Sequence, residues 1–166
     1  MKTLTIVRHA KSSWKDATLR DRDRPLNNRG ERDAPDMGKR IAEAGIRPSL
    51  ILSSPATRAW TTAKIIAHEI NYPREFLQRE DDLYLASVNR ILDVLVAQES
   101  GFNSIMLFGH NPGLTDFANY LVPGLTNNLP TCGVVSVSFE QDDWSLYELP
   151  QITLALHDYP KKIARP

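Results

Sequence analysis

Three short apolar runs, at residues 4–7, 50–52 and 104–108, constrain the fold of this chain most. Continuous apolar runs of this length are typical of strands buried on both faces of a parallel sheet. Each run stops at a polar turn, and a basic side chain lies in or just after that turn. Segments with the apolar spacing of a helix follow. We therefore predict strand–helix units with right-handed crossovers, which place all three turns on one edge of the sheet.

The predicted fold class is α/β: a three-layer α/β/α domain whose central sheet is mostly parallel with an antiparallel edge. At 166 residues the chain is long enough for one domain, which we expect to span residues 1–166. Shorter segments complete the sheet. We predict strands at residues 75–77 and 135–139, a returning hairpin strand at 144–149, and a further strand or an extended tail at 152–156.

Four helix starts are indicated by side chains that can accept hydrogen bonds from the first turn of a helix. The capping residues that we predict are Asn27 or Asn28, Ser54, Ser87 and Asn111. A proline follows both Ser54 and Asn111, and proline favours the first helical position.

The composition limits the classes of function. The formal net charge is zero, so we do not expect the chain to bind nucleic acid through bulk positive charge. Cys132 is the one cysteine, which excludes an intrachain disulfide and fits a reducing compartment. No apolar run approaches the ~20 residues of a membrane span, and the start of the chain lacks a signal peptide pattern. We expect a cytoplasmic protein, by default a monomer, with no nucleic-acid or membrane partner.

The basic side chains at the three turns are Arg8 with His9, Arg58 and His110. We expect these four to converge at one edge of the sheet. Helix N-termini that open from two of the turns add unpaired N–H groups and partial positive charge. A tetrahedral dianion such as phosphate explains this cluster best, because arginine binds phosphate oxygens with a bidentate fork.

His9, at the strand tip, is the predicted nucleophile, and a carbonyl should hold its other ring nitrogen. His110 should donate a hydrogen bond to a phosphoryl oxygen in the transition state. The alternating charges of residues 20–24 indicate a solvated loop, or a loop from which one or two arginines lean over the anion site. The acidic residues are scattered and no His-x-x-x-His pair occurs, so we predict no metal ion and no other cofactor.

Taken together, the motifs resemble those of the histidine phosphatase superfamily, whose fold is that of phosphoglycerate mutase. The short chain, without a cap insertion, is most similar to the SixA-type phosphohistidine phosphatases. The matching segments are Arg8-His9 with Ser12 and Trp14, residues 24–30, residues 53–59 and residues 109–112.

The resemblance implies that His9 is the phosphorylated nucleophile and that Arg8, Arg58 and His110 complete the phosphate pocket. It also places Ser12 at the phosphate, and we add Asn111 as a further candidate phosphate ligand. The implied activity is hydrolysis of a phosphoryl group within signal transduction.

One departure from the family concerns the general acid. Mutase and phosphomonoesterase relatives carry a glutamate two residues after a leucine, where this chain reads Leu83-Tyr84-Leu85. Either Glu80, Asp81 or Asp82 acts as the general acid in place of that glutamate, or the leaving group of the substrate needs little protonation. A phosphoramidate such as phosphohistidine has a better leaving group than an alkyl phosphate.

The sequence therefore predicts a metal-independent phosphatase that acts through phospho-His9 on protein phosphohistidine. The alternatives are a small-molecule phosphomonoesterase of the same superfamily and a non-catalytic phosphate-binding regulatory module. The expected partner is a phosphorylated protein with a phosphohistidine domain, or a small phosphate ester.

Overall fold

A computed structural model describes residues 1–162 of the chain. Strands and helices alternate through most of this range. The strands are β1 (Lys2–Arg8), β2 (Leu50–Ser53), β3 (Gln78–Arg79), β4 (Ser104–Gly109), β5 (Val134–Phe139) and β6 (Thr153–Asp158). The α-helices are α1 (Asn28–Glu43), α2 (Thr57–Glu69), α3 (Val88–Val96) and α4 (Gly113–Leu121).

The six strands form one sheet in the order β3-β2-β4-β1-β5-β6. The first four strands of this order run parallel, while β5 is antiparallel to both β1 and β6. This confirms the predicted mostly parallel sheet with an antiparallel edge. Arg8 lies opposite Gly109 and Ser53 lies opposite Phe108, so the carboxyl ends of β1, β2 and β4 are level.

Two apolar cores cover the two faces of the sheet. On one face, Leu4 and Ile6 of β1 pack with residues of α3 and α4. On the other face, Val7 packs with residues of α1 and α2, among them Met37 and Ile66. Successive strand residues point to opposite faces, which explains why a continuous apolar run feeds both cores. The predicted three-layer arrangement follows.

The start of α1 matches its sequence signal: the Asn27 side chain accepts a hydrogen bond of 2.9 Å from the Gly30 N–H. Ser87 likewise caps α3. The predictions for the other two caps were wrong. α2 begins at Thr57 with Ala56 as its cap residue, and α4 begins at Gly113 after Pro112.

Two strand predictions were also wrong. Residues 144–149 form no strand; Trp144 is instead fully buried, and its indole N–H donates to the Phe102 carbonyl at 2.9 Å. The strand that pairs with β5 is β6, which overlaps residues 152–156, the segment for which we predicted a strand or an extended tail. Residues 75–77 overlap a 3₁₀ turn at Arg74–Phe76, and β3 starts just after it. Within residues 1–162, no helix is long and apolar enough to cross a membrane.

Candidate active site

The level ends of β1 and β4 and the first turn of α2 bring the four predicted basic residues together. The ring centroids of His9 and His110 are 5.3 Å apart. His9 is 7% exposed, and Arg58 and His110 are each 3% exposed. The site is therefore a buried cationic pocket at the carboxyl edge of the sheet, where open α/β folds bind their ligands.

His9 presents one ring nitrogen to the pocket. Its Nδ1 lies 2.7 Å from the Ala10 carbonyl oxygen, which can only accept, so Nδ1 carries the proton and Nε2 has a free lone pair. Burial, against the opposing effect of the hydrogen bond to Ala10 and together with the charges of Arg58 and Arg8, lowers the pKa of His9 to about 3. The imidazole is thus neutral at pH 7, as a nucleophile must be.

Each arginine of the pocket is anchored through its terminal nitrogens. Arg8 Nη1 donates to the Leu129 carbonyl at 3.0 Å. Arg58 Nη1 donates to the main-chain oxygen of Asp21 at 2.7 Å, and its Nη2 donates to the Asp21 carboxylate at 2.9 Å. Burial and the neighbouring Arg58 lower the pKa of Arg8. Both guanidinium groups are therefore fixed in orientation before any ligand binds.

Ser54 determines the tautomer of His110. Its hydroxyl oxygen lies 2.7 Å from His110 Nε2 and accepts a hydrogen bond of 3.2 Å from the Ala56 N–H. Burial lowers the pKa of His110 to about 3, with a further contribution from His9, so the ring is neutral. In the tautomer in which the serine hydroxyl donates to Nε2, Nδ1 carries the N–H, and we assign this tautomer because it gives the site a second donor for an oxyanion. The residue that the sequence indicated as a helix cap thus orients a pocket histidine.

Three buried donor atoms of the pocket have no hydrogen-bond partner among residues 1–162: Arg8 Nε, Arg58 Nε and His110 Nδ1. A buried donor without a partner costs free energy, on the order of 1–3 kcal/mol. A tetrahedral oxyanion seated beside His9 Nε2 offers acceptor oxygens to all three. This arrangement can bind a phosphoryl group and place a nucleophile against it.

The two further candidate phosphate ligands are engaged with protein groups. Ser12 Oγ accepts a hydrogen bond of 2.7 Å from Nη1 of Arg24, an arginine of the charged loop. The Asn111 amide donates to the Leu129 carbonyl at 2.9 Å, and its oxygen accepts from the N–H and hydroxyl of Thr115. Their contact with phosphate stays a prediction.

The three candidate general acids lie on a short turn beside the site. Glu80 accepts a hydrogen bond from the Asp82 N–H, and Asp82 forms an ion pair of 3.1 Å with Arg90. Asp81 is exposed. No hydrogen bond in the described part of the chain joins these three side chains to the four pocket residues. Their role as acids stays a prediction.

The carboxylate that does contact the pocket is Asp21, which sequence reasoning missed. Besides Arg58, the Tyr84 hydroxyl donates to it at 2.5 Å, and Arg24 lies 3.3 Å from its other oxygen. The Tyr84 ring packs edge-on against His110, with centroids 5.5 Å apart. Within residues 1–162, no three His, Cys, Asp or Glu side chains form a group that could hold a metal ion.

Comparison with known proteins identifies the family. The sequence profile of the histidine phosphatase superfamily, branch 1, matches residues 4–84, which include Arg8, His9 and Arg58. The chain belongs to the histidine phosphatase superfamily. An uncharacterized chloroplastic protein of Arabidopsis thaliana is 32% identical over 149 residues, which are 85% of this chain and 68% of that protein.

Solved structures of superfamily members match along almost the whole chain. The structure named for phosphohistidine phosphatase SixA from Agrobacterium tumefaciens is 25% identical, with a TM-score of 0.79 over 96% of this chain and 98% of that one. The protein histidine phosphatase SixA complexed with tungstate shares the fold, with a TM-score of 0.78, 22% identity and coverage of 95% and 97%. These findings confirm the predicted family and fold, and they support phosphatase function.

Proposed function

We propose that this histidine phosphatase removes phosphate from protein phosphohistidine, without a metal ion, through a phosphorylated His9. The observation that carries the proposal is the free Nε2 of a neutral His9 beside three buried, unpartnered donors of Arg8, Arg58 and His110. Such donors can bind the oxygens of a phosphoryl group, and the free Nε2 of His9 can attack its phosphorus.

The reaction has two displacements. The Nε2 lone pair of His9 attacks phosphorus, the bond from phosphorus to the substrate nitrogen breaks, and that nitrogen keeps the electron pair. Water then attacks phosphorus, the bond between phosphorus and His9 Nε2 breaks, and its electron pair returns to Nε2. The water gives up a proton, inorganic phosphate leaves, and neutral His9 is restored. Arg8, Arg58 and the His110 N–H stabilise the charge on the phosphoryl oxygens in both steps.

Two further observations favour a nitrogen-linked substrate. Leu85 stands where ester-cleaving relatives carry a glutamate acid, and a leucine cannot protonate a leaving alkoxide. The similar structures named for SixA are described as histidine phosphatases, and one of them binds tungstate, a tetrahedral oxyanion. A protein-borne phosphohistidine, in a signalling pathway of the cytoplasm, is the substrate class and setting that we propose.

Rapid labelling tests the proposal. The protein is mixed for milliseconds with a ³²P-phosphohistidine protein or with a ³²P-phosphomonoester, then denatured, and the label is mapped. We expect acid-labile label on His9 from phosphohistidine, none in His9→Ala, and normal label in His68→Ala, whose imidazole is exposed on α2.

Each other outcome rejects a defined part of the proposal. Faster turnover of the phosphomonoester than of phosphohistidine would indicate a small-molecule phosphomonoesterase. Tight binding of phosphate without any label on His9 would indicate a non-catalytic binding module. Loss of turnover with a chelator, and its return with a divalent cation, would contradict metal independence.

A further inference from the structure

A fixed negative charge lies against the cationic pocket, and nothing in the reaction above uses it. One oxygen of the Asp21 carboxylate accepts hydrogen bonds from Arg58 Nη2 at 2.9 Å and from the Tyr84 hydroxyl at 2.5 Å. The other oxygen accepts from Nε and Nη2 of Arg24, each at 3.3 Å, and the side chain stays open to solvent on its remaining side. Burial raises its pKa, but the hydrogen bonds from Tyr84 and Arg58 outweigh this and hold the pKa at about 2. The group is ionised at neutral pH and has no proton to give.

Asp21 lies on the outer side of the pocket. Its side chain is 43% exposed, whereas that of Arg58 beneath it is 3% exposed. His9 lies at the tip of β1 and is 7% exposed, so a leaving group that departs in line from a phosphoryl group on Nε2 moves away from the end of the strand. We place this leaving group on the side where Asp21 and the Tyr84 hydroxyl are exposed.

A carboxylate in this position discriminates between leaving groups by charge. It repels a departing alkoxide or phenolate and any second phosphate or carboxylate of the substrate. It attracts a cationic group and can accept a hydrogen bond from an N–H. We propose that Asp21 is a specificity-determining residue that selects substrates whose phosphoryl group is bonded to the nitrogen of a cationic ring, such as a protonated phosphoimidazole. The inference rests on the proposed function and names how the protein chooses its substrate.

The first displacement then balances without an acid. The phosphorylated substrate ring enters protonated on its second nitrogen, and this N–H donates to the Asp21 carboxylate. When the P–N bond breaks, the electron pair returns to the first nitrogen and the ring departs as neutral imidazole with its proton in place. Tyr84 holds the carboxylate in position throughout. The glutamate that esters require has no task in such a reaction.

The test compares two substrates in matched variants. The protonated ring of phosphoimidazole is cationic until the P–N bond breaks and then departs as neutral imidazole, whereas 4-nitrophenyl phosphate releases an anionic phenolate. Asp21→Asn removes the charge, while its main-chain oxygen and amide oxygen can still hold Arg58. We expect the ratio of kcat/KM for phosphoimidazole to that for 4-nitrophenyl phosphate to fall roughly 10- to 100-fold, the worth of a charge-assisted hydrogen bond. Asp21→Glu should restore part of the ratio.

Two more variants complete the design. Asp23→Asn removes a carboxylate of the same turn that pairs with Arg20 at the surface, and it should leave the ratio unchanged. Tyr84→Phe keeps the charge of Asp21 but removes the hydrogen bond from the Tyr84 hydroxyl that holds the carboxylate in place. The ratio should therefore fall less than in Asp21→Asn. This variant decides the question if Asp21→Asn does not fold.

The outcomes separate this inference from the proposed function. If Asp21→Asn slows both substrates equally, or Tyr84→Phe leaves the ratio unchanged, Asp21 merely positions Arg58 and the inference is overturned while the phosphatase reaction stands. If the unaltered protein neither turns over phosphoimidazole nor becomes labelled on His9, the proposed function is wrong, and the inference about Asp21 is then wrong as well.

Discussion

The two pocket histidines should make the stability of the fold depend strongly on acid. His9 and His110 are buried, and each has a pKa of about 3 in the folded chain against about 6.5 when exposed. Between these values the unfolded chain binds protons that the folded chain does not. The contribution of each neutral histidine is therefore complete above pH ~6.5 and is lost as the pH falls toward 3.

The size of the effect follows from the shift. One pH unit of differential binding by one proton is worth about 1.4 kcal/mol, so each histidine removes about 3 kcal/mol of unfolding free energy between pH ~6.5 and pH ~4. One such histidine alone amounts to a sizeable part of the 5–15 kcal/mol that stabilises a typical domain.

Urea unfolding at pH 7 and pH 4 measures this loss in the unaltered protein and in His9→Gln and His110→Gln. Each variant should lose about 3 kcal/mol less than the unaltered protein over this interval. His68→Gln, which changes an exposed imidazole, should follow the unaltered protein. Titrating carboxylates contribute equally to all four proteins and cancel. If the pocket variants lose as much stability as the unaltered protein, the histidines are not buried in the neutral form.

Two further substitutions test the support of the site. Ser54→Ala removes the partner of His110 Nε2, so kcat should fall roughly tenfold with little change in KM, and steady-state kinetics with an unchanged kcat would contradict the tautomer assignment. Gly30→Ala would place a Cβ 2.2 Å from the Lys11 carbonyl oxygen and should destabilise the fold by about 1–3 kcal/mol in urea unfolding. Gly101→Ala meets no atom within 4 Å and serves as the control; equal midpoints for the two variants would refute the clash.

The strand ends were predictable because their signals are local. Arg8, His9 and His110 each follow an apolar run, and the parallel arrangement of the strands then decides that they meet. Ser54 could not be assigned in this way. A serine before a proline has the same local pattern whether it caps a helix or binds His110, and the choice depends on a residue 56 positions away.

Asp21 was missed for a related reason. It lies in a run of alternating charges, and such runs are usually solvated. Only the tertiary structure shows that Arg58 and Tyr84 reach it from later segments. The segment at 144–149 failed differently: its alternating pattern fits a strand, but Trp144 and Leu146 bury themselves in the core while β5 pairs with β6.

The Leu129 carbonyl accepts hydrogen bonds from both Arg8, at the end of β1, and Asn111, just after β4. The loop that contains Leu129 thus links the ends of these two strands, although none of its side chains is among the predicted site residues. Because a main-chain oxygen makes this link, exchanging the Leu129 side chain leaves the link in place. Leu129→Ala would report the loss of a buried side chain and not the loss of this link. Changes in the length or path of that loop would disturb Arg8 from a distance, so engineering of this chain should preserve the backbone around residue 129 as well as the buried Leu129 side chain.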